Sequence, residues 1–242
     1  MAKKTDDIYS KPVASSPFNF DQSVAEVFPD MIERSVPGYS RIINNISKFA
    51  AHFVTDNSHC YDLGCSLGAV SLAISQGVEA SNVSIIGVDN SAAMIARCQT
   101  HINAFKHNVP IQLLEDDIRN IKIENASLAV LNFTLQFIAK SDRESLLDNV
   151  CKGLIPGGAL ILSEKIRFED PELDELMIKL HHQFKRENGY SDLEISQKRN
   201  ALENVLIPET LETHKSRLKQ VGFKHVACWL KEYNFASFIA VK

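Results

Sequence analysis

The sequence predicts an α/β fold, a mostly parallel sheet with helices on both faces and an antiparallel edge at the C-terminus. Three observations predict it. Short apolar runs alternate with segments of helical periodicity between residues 60 and 163, the pattern of βαβ units. The first run stops in a small-residue loop, Gly64-Cys65-Ser66-Leu67-Gly68, that opens into a helix. The last two runs, 226–230 and 235–241, are joined by a short polar stretch, so they pair as neighbours rather than through a crossover.

The elements follow in order. Residues 1–18 are polar, carry Pro12 and Pro17, and lack the apolar run of a signal peptide; they read as a loose arm before a single domain, 19–242. Phe20, Val24, Val27 and Phe28, then Ile42, Ile43, Ile46, Phe49, Ala50 and Phe53, mark two N-terminal helices. Pro37-Gly38 separates them and leaves Tyr39 at the start of the second. After the first strand and its loop, a helix runs from about Ala69 to Gln76. The second strand, 83–88, ends at Asp89-Asn90, and Ser91 is an N-cap for the helix carrying Met94, Cys98 and Ile102. A short third strand, 110–114, leads into Glu115-Asp116-Asp117-Ile118. The fourth, 126–133, is apolar enough to be buried on both faces. Ser141-Asp142-Arg143-Glu144 reads as a capping box ahead of Leu146, Leu147 and Val150. That helix ends by Pro156-Gly157-Gly158, and 159–163 is the fifth strand. Between it and the closing pair lies a helical insertion, about 167–220. Eight Lys/Arg from Lys179 to Lys219 and six Asp/Glu from Glu187 to Glu212 fit a solvated cover, or a lid over the strand ends where open α/β sheets bind ligands.

Composition excludes several classes. A formal charge of −4 argues against a direct nucleic-acid binder, and no segment approaches the ~20 apolar residues of a membrane span. The cysteines number five and form no C-x-x-C pair, which favours reduced thiols in the cytoplasm. His181 and His182 are adjacent and cannot share a helix face as paired ligands, so no metal site is expected.

Three chemistries compete for the glycine loop. Dinucleotide binding wants a glycine where Ser66 stands. A nucleophile elbow fits G-x-S-x-G in letters, but the residues before Tyr61 read as helix rather than as earlier sheet strands. The S-adenosylmethionine loop of class I methyltransferases, beginning at Asp62, fits best, with Ser66 its one departure. Every candidate contact ends a predicted strand: Gly64, Cys65 and Ser66 the first, Asp89 and Asn90 the second, Asp117 and Ile118 the third, Asn132 the fourth. Asp89 is suited to the ribose hydroxyls and Asp117 to the adenine amino group, with Ile118 against the ring; Asp117 is equally a turn residue. Asn132-Phe133-Thr134-Leu135 lacks the Asn-Pro-Pro-Tyr form used on exocyclic base nitrogens.

Val-Ala-Glu-Val-Phe-Pro-Asp-Met-Ile (24–32), Arg34-Ser35-Val36-Pro37-Gly38-Tyr39-Ser40, the glycine loop, Leu131-Asn-Phe-Thr-Leu-Gln-Phe137 and His182-Gln-Phe-Lys-Arg-Glu-Asn-Gly-Tyr190 resemble the bacterial carboxy-S-adenosylmethionine synthases over nearly the whole chain. The resemblance implies a Rossmann-like methyltransferase fold. It implies conversion of S-adenosylmethionine and prephenate to carboxy-S-adenosylmethionine, phenylpyruvate and water. It further implies a homodimer and hand-off of the product to an enzyme that carboxymethylates wobble uridine in transfer RNA. Tyr39 joins the ligand contacts on this ground, and Arg199 becomes the cation for the added carboxylate, a task suited to a planar guanidinium. Lys165, Arg167, His181, Lys185, Arg186 and Tyr190 are the lid candidates for prephenate. The rivals are an ordinary small-molecule methyltransferase and a non-catalytic S-adenosylmethionine-binding module.

Overall fold

Strands β1 (His59–Leu63), β2 (Ser84–Asp89), β3 (Ile111–Glu115), β4 (Ala126–Asn132) and β5 (Leu154–Arg167) pair in parallel. The structure, a computed structural model, describes residues 4–14 and 16–242. A two-residue strand, β6 (Glu209–Thr210), adds to the far end of β5. The hairpin β7 (His225–Glu232) and β8 (Phe235–Val241) completes the sheet, with β8 antiparallel to β5. The order is β3-β2-β1-β4-β5-β8-β7. Succession runs outward one way from β1 and the other way from β4, so the two meet at a switch point whose crevice opens at their carboxyl ends.

Helices α1 (Gln22–Ser35), α2 (Tyr39–Phe53), α3 (Ala69–Gly77), α4 (Ala92–Ala104), α5 (Arg143–Gly153), α6 (Pro171–Glu187), α7 (Asp192–Leu202) and α8 (Leu211–Gln220) complete the order. On one face, Leu146, Leu147 and Val150 of α5 and Leu218 of α8 pack with Leu131, Leu162 and Phe238. On the other, Ile42 and Ile46 of α2 and Ile74 of α3 pack with Ile85, Val130 and Ile161. β4 is buried on both sides, as its unbroken apolar run predicts. Ser91 caps α4, its hydroxyl accepting from the Met94 N–H at 3.2 Å.

Four expectations need correction. The capping box at Ser141 does not form: Asp142 occupies the cap position in a helical conformation without a side-chain cap. Its carboxylate accepts instead from Arg119 at 2.6 Å and Ser141 Oγ at 2.9 Å. The reason is Arg143, fully buried as the first helical residue. Its guanidinium donates to the carbonyls of Ile138, Gln136 and Ile207 and pairs with Glu209 at 2.6 Å. β5 is longer than 159–163, because Leu154 already pairs with Ala126. The insertion is not helical throughout: β6 interrupts it, and α8 belongs to the sheet's own packing, leaving α6 and α7 as the cover. Finally, the described part of the arm is held rather than loose. Asp6 is buried, Lys4 pairs with Glu26, and Gln197 of α7 donates to the carbonyls of Tyr9 and Lys11. Residues 1–3 and 15 of the arm lie outside the described residues.

Candidate functional site

The loop after β1 folds onto β2. The Gly64 and Cys65 N–H groups both donate to the Val88 carbonyl, at 2.8 and 2.9 Å, and Gly68 closes the turn onto Cys65. Gly64 has φ +86, and a Cβ there would meet Thr134 Oγ1 at 2.3 Å. Only glycine lets the strand ends of β1 and β4 approach so closely. Ser66 sits at φ 47, a left-handed backbone that is uncommon without glycine. Its N–H donates to Asp89 Oδ2 at 2.9 Å, while the Ser91 N–H donates to Oδ1 at 3.0 Å. Asp89 therefore ties the loop to the end of β2. Burial pushes its carboxyl above the usual range, against those two bonds.

Asp62 lies beside it, fully buried at the end of β1. Ser71 of α3 donates to Asp62 Oδ2 twice, from N–H at 2.9 Å and from Oγ at 2.6 Å. Burial, offset by Ser71 and reinforced by the Asp89 charge, raises Asp62 to about 7. Burial also raises the Tyr39 phenol, with the Asp62 charge next in effect. Tyr39, Asp62 and Asp89 thus share one neighbourhood. Asp62 Oδ1 and Asn132 Oδ1, at adjacent strand ends, are buried without a hydrogen-bond partner among the described residues. Orphaned buried acceptors are costly, and a nucleoside with an amino-acid tail brings the hydroxyl and ammonium donors they lack. The pocket residues fit such a ligand.

The other expected contacts divide. Ile118 is buried at the head of its turn, and Asn90 is exposed. Asp117 accepts from Arg119 through both oxygens, at 3.0 and 2.6 Å; that guanidinium holds the carboxyl below its ordinary range. Cys65 is no nucleophile: the adjacent Cys98 sulfur and burial hold its thiol protonated.

The cover brings cations together. His181 and Lys185 of α6 and Lys198 of α7 are buried, as is Tyr190 between the helices. His181 Nε2 meets the Ser35 carbonyl at 2.8 Å, and Lys198 Nζ meets Ser35 Oγ at 3.2 Å and Asp6 Oδ2 at 3.5 Å. Tyr190 donates to that same Asp6 carboxylate, and Arg34 stacks on its ring at 3.9 Å. Burial lowers Lys185 to about 7, helped by Lys198 and Lys165, and lowers Lys165 with help from Arg199. Of the lid candidates, Arg167 and Arg186 instead face solvent, Arg186 pairing with Asp192 at 2.7 Å. Arg199 is exposed in an open cleft of about 400 Å³ shared with Asp174, Ile178 and His182 of α6. No glycine-loop residue lines that cleft; its connection to the strand ends is the repulsion it exerts on Lys165. Sequence reasoning did not mark Asp62 as a candidate contact, though it opens the motif, nor Asp6, for which a polar arm gives no signal. Among the described residues no group of His, Cys, Asp or Glu converges as a metal site, and no helix is long and apolar enough to cross a membrane.

Fold and strand-end site together define a class I methyltransferase-like protein. Residues 61–158 match the family model described as a methyltransferase domain. The fold is shared with magnesium protoporphyrin IX methyltransferase from Synechocystis PCC 6803, solved with bound SAH. The TM-score is 0.59 over 95% of this chain and 90% of that one, at 12% identity. More specifically, the chain belongs to the carboxy-S-adenosyl-L-methionine synthase family. It is 56% identical over 238 residues to the protein of that name from Histophilus somni (strain 2336), covering 98% of this chain and 99% of that one. Identity to the one from Escherichia coli O17:K52:H18 (strain UMN026 / ExPEC) is 55%, over 98% and 96% of the two chains.

Proposed function

We propose that this protein makes carboxy-S-adenosyl-L-methionine from S-adenosyl-L-methionine, with prephenate as the source of the carboxyl group. The observation that carries the reading is the end-to-end kinship at 56% identity, which takes in the cover as well as the loop. The geometry supports it. Methyl transfer needs no cation near the methyl, because the sulfonium is already positive, yet Lys165 at the end of β5 lies within reach of the charges of both Arg199 and Lys185. Carboxyl transfer does need cations.

In the reaction, prephenate loses carbon dioxide and hydroxide and becomes phenylpyruvate. Hydroxide takes a proton from the S-methyl group and leaves as water, and the resulting ylide carbon bonds to carbon dioxide. The chain's part is to hold the nucleoside through Asp89 and the loop, to position the acid, and to keep bulk water out. Tyr39, Asp117, Ile118, Asn90 and Asn132 complete the nucleoside contacts. Arg199 holds the new carboxylate. The protein works as a cytoplasmic homodimer and passes its product to a transfer-RNA carboxymethyltransferase. Mass spectrometry of the ligand carried through native purification tests the reading: carboxy-S-adenosyl-L-methionine is expected. Plain S-adenosyl-L-methionine, persisting after incubation with prephenate, would return the site to an ordinary methyltransferase.

A further inference from the structure

Two lysines lie under the cover without a carboxylate of their own. Lys165 stands on β5 opposite Phe235. Lys185 is 8% exposed, one turn beyond His181 on α6. Among the described residues neither ammonium forms an ion pair or a side-chain hydrogen bond. The acids that face them are spent elsewhere: Asp6 is taken by Lys198 and Tyr190, and Asp174 accepts from the Phe168 N–H at 2.8 Å. His181, His182, Lys198 and Arg199 add only positive charge or none. Lys165 is half-buried and Lys185 buried, yet neither Nζ is among the buried atoms without a partner, so both ammoniums open onto free space beneath the cover. Beside the lysines is an apolar wall. The His181 ring packs on Phe235 at 4.8 Å, and Phe235 on Phe133 at 5.9 Å. Phe133 follows Asn132 directly, so the wall leads back to the nucleoside site.

We propose that Lys165 and Lys185 form an anion subsite under the α6–α7 cover, taking one carboxylate of a small organic dianion whose hydrocarbon part rests on the His181–Phe235–Phe133 wall. The subsite rests on the carboxyl-transfer reading, in which that dianion is prephenate. It is separate from Arg199, which holds the carboxylate of the product. The anion supplies the missing partner to both ammoniums. Without it Lys185, lowered to about 7, is largely neutral at pH 8; with it, the lysine takes a proton back.

The test replaces each lysine by methionine, close in length and uncharged. In Lys185→Met and Lys165→Met the KM for prephenate is expected to rise at least tenfold. The Kd for S-adenosylmethionine should stay within twofold, and the thermal midpoint should hold. A prephenate KM within threefold of wild type in both variants overturns the subsite. Should a variant fail to fold, the wild type decides by calorimetry at pH 8 in two buffers of different ionisation enthalpy. Uptake of about half a proton or more per prephenate bound supports the subsite, and none overturns it. Lys198 titrates in the same range but is already tied to Asp6. If the wild type makes no product from prephenate, the functional reading fails instead. The subsite is then judged with malonate, whose binding to the wild type and loss in both variants upholds it, and whose failure to bind rejects it.

Discussion

At the carboxyl ends of β1 and β2 the structure buries acids, and on α6 and α7 it buries bases. Asp62 and Asp89 are served by local backbone and hydroxyl donors, from Ser71, Ser66 and Ser91. Their neighbourhood is assembled before a ligand arrives. Lys198 is served from the far end of the chain, by Asp6, and Lys165 and Lys185 have no acid of their own. The first region is preorganised for a part common to every ligand of the fold. The second is left with an excess of positive charge, which in the proposed reading a substrate carboxylate offsets. In the proposed reading, general affinity resides in the loop, and the identity of the reaction resides in the cover.

The sharpest way to break this division is Asp89→Ala. The ribose is common to S-adenosylmethionine and its carboxylated form, and two loop N–H groups would lose their acceptor as well. Both ligands are expected to weaken by about 2–4 kcal/mol. Calorimetric titration with the two checks it, and a loss confined to one would move specificity into the loop. Next is Arg199→Ala on the cover. Carboxy-S-adenosylmethionine is expected to weaken by about 1.5–3 kcal/mol, the range of a charge-assisted hydrogen bond, with S-adenosylmethionine unchanged and prephenate-dependent synthesis sharply reduced. Equal losses for both ligands would make Arg199 a support of the α6–α7 cleft.

The two regions also differ in the sign of their pH dependence. Asp62 is raised to about 7 in the fold, above its unfolded value near 4. The native state then binds the extra proton, so this group's contribution to stability falls as pH rises from about 4 to about 7. Lys185 is depressed to about 7 from 10.5. The unfolded state binds the extra proton, so its contribution rises between about pH 7 and pH 10. Thermal midpoints against pH should flatten in the lower window for Asp62→Asn and in the upper window for Lys185→Met. A common change in both windows would mean that the regions are not electrostatically distinct. The smallest effect is expected from Ser66→Ala. Its backbone N–H carries the bond to Asp89, so losing the hydroxyl should cost ~1 kcal/mol in S-adenosylmethionine affinity. Labelling of Ser66 by a fluorophosphonate would instead mark a nucleophile.

The loop half was legible in the sequence because its signals are local. Strand periodicity, small residues at a turn and an acid at a strand end each depend on a few neighbours, and Asp89, Gly64 and Ser91 fall where those signals put them. The cover was legible as helices and as charge, but not in its pairing. Nothing near Asp6 announces that it will meet Lys198 and Tyr190, because the partners are about 190 residues apart. The capping box failed for a related reason. Ser141 and Glu144 match the pattern, yet Arg143 between them is drawn inward by Glu209, 66 residues on. Tertiary demand overrode a local preference.

That inward arginine has a consequence for how the chain reaches its fold. Its guanidinium is stripped of water by carbonyls from one stretch of chain and by Ile207 and Glu209 from another, and Arg217 of α8 grips the same Glu209 at 2.8 Å. Until residues 207–217 dock, the head of α5 must stay hydrated and the sheet beside it unfinished. The order of assembly is therefore constrained: the head of α5 cannot mature before β6 and α8 have docked. A chain ending before residue 207 should emerge as a soft, partly ordered species. The complete chain should melt in one cooperative step, seen at the same temperature by probes in the loop and in the cover.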